Sequence, residues 1–275
     1  MSKRKIIIVS IFSIFLVALL SGFFFLRSKY VVPILMYHSV NPAAKENLRL
    51  VVPPEIFDRQ MGFLKKNRYN VIPVESLIKL IKENKKIPPK TLCITFDDGY
   101  KDNYLYAFPV LKKYNLPATV FIIVNEIGRG QNDRLSWDEV KKMRDSGIVF
   151  FGSHCLGPEP LVNMHSDAQI LHEITDSKKA LEEKLGVKIP IFSYPEGLFN
   201  PKIRQMVIDA GYSGAVATNP GRQFANDDCF ALKRLRISRN AGNMFVFYTE
   251  TSGYYTFFKE GKKLRHEKRK ASGKN

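Results

Sequence analysis

The sequence predicts an α/β fold, a distorted or incomplete (β/α) barrel preceded by one N-terminal transmembrane helix. Short β-branched or aromatic runs alternate with amphipathic helical stretches, and eight such units fit into roughly 210 residues. No GxGxxG motif follows the first strand candidate, which argues against a dinucleotide-binding fold. An apolar run of 21 residues near the N-terminus predicts the membrane helix.

The apolar run covers residues 6–26, which at 1.5 Å per residue extend about 31 Å, close to a hydrocarbon core of about 30 Å. Three basic residues precede it at 3–5, and three phenylalanines at 23–25 stand where a cleavage site would need small residues. We therefore predict an uncleaved signal anchor, with cleavage near Ser21 as the alternative. In both cases the positive-inside rule places residues 27–275 outside the cytoplasm.

The predicted elements follow one another along the chain from residue 32. Strand candidates lie at 32–37, 70–74, 92–96, 118–124, 148–152, 189–193, 212–217 and 230–237, with helices at 55–66, 102–114, 137–145 and 167–185. The last helix begins with Ser166 and Gln169 as a capping box and ends at Gly186. Three segments result: a basic stub and anchor at 1–29, a barrel at 30–240, and an aromatic then basic tail at 241–275.

The net charge of +17 is unevenly distributed. Residues 259–275 carry eight basic and two acidic side chains, a local excess of +6. Such a tail favours anionic lipid headgroups or wall polymers, and nucleic acid is disfavoured because no zinc-finger, RRM or helix-turn-helix pattern is visible. Three scattered cysteines are too few for a disulfide framework or a CxxC zinc site, so a metal would need other ligands.

Two adjacent carboxylates, Asp97 and Asp98, follow the strand candidate 92–96, and Gly99 permits a tight turn after them. In a barrel, reactive side chains gather where strands end. Adjacent carboxylates repel each other unless a positive charge compensates, so one could bind a divalent cation while the other accepts a proton from bound water. The alternative is an ordinary Asp-Gly surface turn.

Two further strand ends carry polar or aromatic residues. His154 follows the candidate strand 148–152 and is predicted to point into the same barrel mouth as the carboxylates. Tyr194 and Pro195 follow the strand 189–193, where Tyr194 could present an aromatic wall and a backbone N–H to an oxyanion. The alternatives are a core or turn histidine and a plain strand exit.

These motifs resemble the polysaccharide deacetylases of the NodB-homology type, carbohydrate esterase family four. The resemblance covers about residues 33–239, with TFDDG at 95–99 and GSH at 152–154 as its most specific motifs. LMYHSV at 35–40 and the segment 192–197 look most like the branch that acts on poly-N-acetylglucosamine of biofilm matrix. The resemblance implies a distorted barrel and metal-dependent removal of N- or O-acetyl groups from sugars.

The resemblance also implies roles for individual residues. Asp97 would be the catalytic base, Asp98 and His154 metal ligands, and Tyr194 with Pro195 the oxyanion or substrate contact. The family's H-x-x-x-H motif is incomplete, because Pro158 lies four residues after His154. We predict Glu159, one residue further, as the third ligand, with water or His165 as the alternative.

The chain also departs from the family's last motif, because no histidine occurs in residues 230–239. His38, at the end of the first strand candidate, is predicted to replace it as the general acid, and a purely orienting role is the alternative. The motif-three arginine is replaced at Ser193. The arginine that clamps the catalytic base would then be Arg234 or Arg236, if the clamp is present.

The sequence thus predicts a single-pass cell-membrane enzyme whose extracytoplasmic domain removes N-acetyl groups from an N-acetylglucosamine-containing polysaccharide of the cell envelope. Zinc is the expected cofactor, and manganese, cobalt or nickel would also suit two carboxylates and one imidazole. The alternative is a noncatalytic carbohydrate-binding or envelope scaffold protein with a degenerate metal site. The identity of the polysaccharide stays open.

Overall fold

The computed structural model describes residues 3–27, 29–43, 50–129, 133–218, 228–238, 242–257 and 259. It divides the chain into two compact units, one formed by Val32–Thr251 and the other by Met1–Val31 with Ser252–Asn275. The second unit contains the long helix α1, Lys3–Arg27. Within the described residues no helix combines the length and the apolar character needed to cross a membrane, so the predicted transmembrane helix is not confirmed.

The larger unit alternates strands and helices as predicted. Its strands are β1 (Ile34–Tyr37), β2 (Ser39–Val40), β3 (Val51–Val52), β4 (Asn70–Val71), β5 (Thr91–Phe96), β6 (Ala118–Ile122), β7 (Val149–Ser153), β8 (Ile191–Ser193), β9 (Gly214–Ala217), β10 (Leu232–Lys233) and β11 (Leu235–Arg236). Its α-helices are α2 (Pro54–Lys66), α3 (Val74–Lys82), α4 (Phe108–Tyr114), α5 (Trp137–Asp145), α6 (Asp167–Leu185), α7 (Pro201–Asp209) and α8 (Met244–Thr251).

Eight parallel strands form the path β10-β9-β8-β7-β6-β5-β1-β11, and β4 adds to the side of β5. The two ends of this path, β10 and β11, are separated in the chain by Arg234 alone. Because residues two apart lie within about 7 Å of each other, the sheet has to curve until its edges almost meet. The result is a nearly closed parallel barrel, which confirms the predicted fold class.

Arg234 is also where the strand prediction at 230–237 departs from the structure. Its N–H donates to the carbonyl of Ala217 on the β9 side, whereas the N–H of Ile237 donates to the carbonyl of Met36 on the β1 side. The chain therefore passes from the β9 edge to the β1 edge at Arg234, where the strand is interrupted between β10 and β11. The side chain at this crossing is only 2% exposed.

Helix α6 begins and ends at the capping residues that the sequence indicated. The Ser166 side chain accepts the N–H of Gln169 at the start of α6, and Gly186, with φ 64°, ends the helix. The predicted helix 102–114 is in fact a π-helix, Asn103–Ala107, followed by α4. Buried aromatic rings of Tyr37, Phe57 and Phe96 pack together beneath the ends of β1 and β5.

Candidate active site

A cavity of about 540 Å³ opens where the parallel strands end. Six strands of the barrel contribute one or two residues from the first two positions after the strand: His38 after β1, Asp97 and Asp98 after β5, Ile123 after β6, His154 after β7, Pro195 after β8 and Thr218 after β9. The structure therefore brings together five of the seven residues predicted for the site. Convergence at the carboxyl ends of strands is where (β/α) barrels place their chemistry.

Asp97 lies at the base of this cavity, bound by a buried arginine. Arg234 donates from Nη1 to Oδ1 and from Nη2 to Oδ2, both at 2.6 Å, and from Nη2 to Ser193 Oγ at 2.9 Å. Burial alone would raise the pKa of Asp97, but the charges of Arg234 and His154 and the hydrogen bonds from Arg234 outweigh it and lower that pKa to about 2. Of the two arginines that the sequence allowed, Arg234 is the clamp.

Asp98 and His154 face each other beside this pair. His154 Nε2 lies 3.6 Å from Asp98 Oδ1 and 4.0 Å from Asp97 Oδ2. On the other side of the ring, Nδ1 is 2.8 Å from the carbonyl oxygen of Ser193. Because a carbonyl oxygen can only accept, Nδ1 carries a hydrogen, and Nε2 is the ring nitrogen that faces Asp98. Asp98 has φ 71°, a left-handed conformation that Asp tolerates better than most residues.

His38 lines the same cavity and is partly buried. Its Nδ1 is buried and has no hydrogen-bond partner among the residues that the structure describes. Burial lowers the pKa of His38, the carboxylates Asp97 and Asp98 counteract this in part, and Arg234 and His154 lower it further. The imidazole is therefore mostly neutral at pH 7 and must gain a proton before it can donate one.

The prediction for Tyr194 is wrong, whereas its neighbour Pro195 does line the cavity. The Tyr194 side chain is fully buried, and its hydroxyl donates to the carbonyl of Phe230 at 3.0 Å. Its backbone N–H donates to the carbonyl of Val216 at 3.2 Å. The hydrogen bonding between β8 and β9 thus continues one residue past the strand, and the N–H is not available to an oxyanion.

The prediction for Glu159 is also wrong. Its side chain is exposed, its Oε1 accepts a hydrogen bond from Asn163 at 3.0 Å, and Pro158 is the residue of this loop that lines the cavity. The weaker alternative, His165, is exposed on the surface. The structure therefore follows the H-x-x-x-H spacing of the family, with proline at the position of the second histidine.

The donor set is consequently incomplete for the metal that the family resemblance implies. Among the described residues, no group of three or more His, Cys, Asp and Glu side chains could hold a metal ion. Asp98 and His154 remain as a close pair, and Asp97 is occupied by Arg234. These side chains do not fit a three-ligand site.

Two polar residues of the cavity, Tyr100 and Arg134, were among those that the sequence did not single out. Tyr100 and Arg134 both line it, and the guanidinium of Arg134 lies 4.1 Å from the centre of the Tyr100 ring. Tyr100 directly follows the TFDDG motif, so its position was a usable signal. Arg134 comes from a distant loop and gives no signal in the sequence.

Comparisons with known proteins agree with this architecture. Residues 84–215 match the family described as polysaccharide deacetylase. The chain is 36% identical over 220 residues to the Bacillus subtilis protein YxkH, assigned to the same family, covering 80% of this chain and 76% of YxkH. It is 26% identical over 209 residues to the poly-beta-1,6-N-acetyl-D-glucosamine N-deacetylase of Staphylococcus aureus strain MRSA252, covering 72% of each.

Solved structures show the same fold. The deacetylase PplD of Streptococcus pyogenes, in complex with acetate, superposes with a TM-score of 0.70 at 30% identity over 76% of this chain and 93% of PplD. IcaB from Ammonifex degensii gives a TM-score of 0.70 at 22% identity over 82% of this chain and 97% of IcaB. The sequence motifs, the barrel and these relatives together show that the chain belongs to the polysaccharide deacetylase family.

Proposed function

We propose that this member of the deacetylase family hydrolyses N-acetyl groups from an N-acetylglucosamine-containing polysaccharide at the cell envelope, releasing acetate and a free amine. The observation that carries the proposal is the buried carboxylate of Asp97, oriented by Arg234 and open to a cavity that also holds Asp98, His154 and His38. A buried base beside two imidazoles is an arrangement suited to amide hydrolysis.

In this proposal Asp97 is the proton acceptor for the attacking water. With a pKa of about 2 it stays ionised throughout the pH range in which proteins normally fold, and its affinity for the proton is low. A base with so low a pKa does not retain the proton and passes it on toward the leaving nitrogen. The two hydrogen bonds from Arg234 keep both carboxylate oxygens in place during this exchange.

His38 is the candidate for delivering that proton. The ring lines the cavity and its pKa is lowered, so it begins the reaction neutral, takes up a proton and then donates it to the amine. His154 is oriented by Ser193 and turned toward Asp98, so we assign it no proton transfer.

Family members generally use a divalent metal. Zinc is our proposal, with manganese, cobalt or nickel also compatible with carboxylate and imidazole donors. A bound cation would polarise the acetyl carbonyl. The chain's own contribution is limited to Asp98 and His154, and the proton transfers described above belong to Asp97 and His38.

The substrate class and location rest on the relatives and on chemistry. A Staphylococcus aureus relative is a poly-beta-1,6-N-acetyl-D-glucosamine N-deacetylase. We propose that the substrate of this chain is an acetylated amino-sugar polymer of the same kind, which places the catalytic domain outside the cytoplasm, where envelope polymers lie. Matrix poly-N-acetylglucosamine and peptidoglycan both present such acetamide groups.

Acetate release from these two polymers tests the proposal. The purified wild-type chain should release acetate, and mass spectrometry should find products lighter by one acetyl group. Asp97→Asn should lose at least about a thousandfold in rate, because an amide cannot accept the proton. Glu159→Gln, which changes an exposed side chain outside the cavity, is the matched control and should keep the wild-type rate. An Asp97→Asn chain with full activity would refute the proposal.

A second candidate is a noncatalytic carbohydrate-binding or envelope scaffold protein. The incomplete donor set and the presence of Pro158 in the cavity favour it. Such a protein would bind amino-sugar oligosaccharides in the same cavity with wild-type and Asp97→Asn chains alike, and neither chain would release acetate. Measuring binding and acetate release on the same preparations separates the two functions.

A further inference from the structure

Two buried polar residues, Asp102 and Asn103, have no role in the proton transfers proposed above. Asp102 is 8% exposed and Asn103 is 1% exposed, and both follow the TFDDG motif that carries Asp97. Burying a carboxylate costs free energy unless hydrogen bonds replace those it made with water. The groups that donate to Asp102 therefore indicate what it does.

Three of these donors belong to consecutive residues directly after His38. The carboxylate of Asp102 accepts at Oδ2 from Ser39 Oγ at 2.5 Å and from Asn41 Nδ2 at 3.4 Å, and at Oδ1 from the N–H of Val40 at 3.1 Å. Asp102 stands at the N-cap of the π-helix, yet its side chain makes no capping hydrogen bond within the described residues. Its hydrogen bonds thus hold the segment after His38 rather than the start of its own helix.

Asn103 holds His38 itself. Its Nδ2 donates to the backbone carbonyl of His38 at 2.8 Å and to Asp102 Oδ1 at 3.1 Å. Because both partners can only accept, the nitrogen of the amide and not its oxygen has to face them. The π-helix begins at Asn103, and short π-helical turns are frequent at functional sites. Asn103 therefore connects the backbone of His38 to the buried carboxylate of Asp102.

The backbone at His38 joins two different sheets. His38 is the single residue between β1, which pairs within the barrel, and β2, which pairs with β3 in a separate two-stranded sheet. Its Nδ1 has no hydrogen-bond partner in the described part of the chain, whereas Nδ1 of His154 donates to the carbonyl of Ser193. The position of the His38 ring consequently depends on its backbone and not on a hydrogen bond at Nδ1.

We infer that Asp102 and Asn103 are positioning residues, which hold the backbone of His38 so that its imidazole stays in the cavity while it delivers a proton to the leaving nitrogen. The inference rests on the proposed function, which assigns that proton transfer to His38. Misplacing a catalytic group by about 1 Å can cost about a hundredfold in rate. Asp97 and the two positioning residues lie on one continuous segment, 97–103, so the proton acceptor and the support of the proton donor are placed together.

Asn103→Leu tests the inference by acetate release from whichever polymer the wild-type chain hydrolyses. Leucine keeps the approximate size of the side chain but cannot donate, so kcat should fall at least about tenfold while KM stays within about twofold of wild type. In the His38→Gln background the same substitution should change the rate by less than about twofold, because the group that Asn103 positions is already absent. An equal loss in both backgrounds, or wild-type kcat for Asn103→Leu, would overturn the inference.

Two substitutions of Asp102 extend the test. Asp102→Ala removes the acceptor of all four donors and should lower kcat at least about tenfold, whereas Asp102→Asn keeps one acceptor oxygen and should be less impaired. Asp58→Asn is the matched control, because Asp58 accepts from Lys113 and Tyr114 outside the cavity, and it should keep the wild-type kcat. Wild-type kcat for Asp102→Ala would contradict the inference, and Asn103→Leu still tests it if Asp102→Ala does not fold.

Hydrogen exchange supplies a readout without turnover. The amide of Val40, which donates to Asp102, should exchange faster in Asp102→Ala than in wild type and should be unchanged in Asp58→Asn. Unchanged exchange in Asp102→Ala would show that Asp102 does not hold the segment. Failure of the proposed function is distinguishable from these results, because it appears as a wild-type chain that releases no acetate. An active wild type in which the losses from Asn103→Leu and His38→Gln are additive refutes the inference alone.

Discussion

The carboxylate of Asp97 contributes to both reactivity and stability because its partner Arg234 is equally buried, each being 2% exposed. Breaking a buried ion pair by changing one member leaves the other charge without compensation in a medium of low dielectric. Asp97→Asn should therefore lower the free energy of unfolding by about 3–5 kcal/mol in addition to abolishing catalysis. Urea denaturation followed by circular dichroism measures this.

Arg234→Met with Asp97→Asn supplies the control for that measurement. The double variant removes both charges, so its loss of stability should be clearly smaller than the sum of the two single losses. Additive losses would show that the two side chains do not stabilise each other. An Asp97→Asn chain as stable as wild type would show the same.

Glu159, in contrast to the buried Asp97, is predicted to contribute little to stability. It is exposed and accepts one hydrogen bond from Asn163, so Glu159→Gln should change the free energy of unfolding by no more than about 0.5 kcal/mol. Zinc affinity measured by equilibrium dialysis should be unchanged too. A loss of zinc in this variant would restore the carboxylate to the metal site and contradict the structure.

Sequence reasoning found the residues whose position follows from a strand end. Asp97, Asp98, His154 and His38 come directly after apolar runs, and parallel strands carry such residues to one edge. Tyr194 also follows an apolar run, but its N–H still pairs with β9, and hydrogen bonding to a neighbouring strand is invisible in one segment. The choice between Arg234 and Arg236 likewise depended on which strand pairs with which.

At the scale of elements, β7 carries His154 to the cavity and has little room beside its glycine. A Cβ atom on Gly152 would lie 2.5 Å from Phe121 Cε1 and 3.0 Å from the carbonyl oxygen of Ile191. Gly152→Ala should therefore cost about 1–3 kcal/mol of stability, as overpacked cores do, and reduce acetate release by displacing His154. Urea denaturation and the rate assay measure these two effects.

Gly157→Ala is the control for this prediction. A Cβ there meets only Glu173 Oε1 at 3.9 Å, an ordinary contact distance, and the backbone does not need a positive φ. We expect a change of at most about 0.5 kcal/mol. If both variants unfold at the same urea concentration as wild type, the close packing of β7 against Phe121 does not limit the size of residue 152.

Helix α6 positions the loop after β7 through a single carboxylate. Glu173→Ala removes the acceptor of the Leu156 and Gly157 N–H groups, which should cost about 1–3 kcal/mol and free the loop. Hydrogen exchange at these two amides should become faster than in wild type. Glu183→Ala, on the exposed side of the same helix, should leave their exchange unchanged. Unchanged exchange in Glu173→Ala would mean that the backbone hydrogen bonds from Val124 to Cys155 and from Asn125 to Leu156 are sufficient to hold the loop.

The fold class was predictable from the sequence, but the break between β10 and β11 was not, because that break belongs to the closure of the whole barrel. Alternating strand and helix signals are local, so eight units could be counted along the chain. The crossing at Arg234 depends on which edges meet, and residues 230–237 read as one strand because their alternating pattern continues across it. The single residue that joins the two edges also projects its guanidinium onto Asp97, so closure of the barrel and orientation of the base depend on the same position.

The charge of the whole molecule leads to a prediction for the basic segment 259–275, which beyond Lys259 lies outside the described residues. Its excess of +6 should bind acidic liposomes or anionic wall polymer, since each basic residue near an anionic surface contributes about 1 kcal/mol. Screening shortens the Debye length from about 30 Å at 0.01 M salt to about 8 Å at 0.15 M, so affinity should fall at least tenfold between these conditions. Cosedimentation of the full chain with anionic and neutral vesicles measures this. A chain ending at Thr251 should lose the salt-dependent component of binding. If the affinity does not depend on the salt concentration, or if binding persists after the truncation, the tail has no electrostatic function.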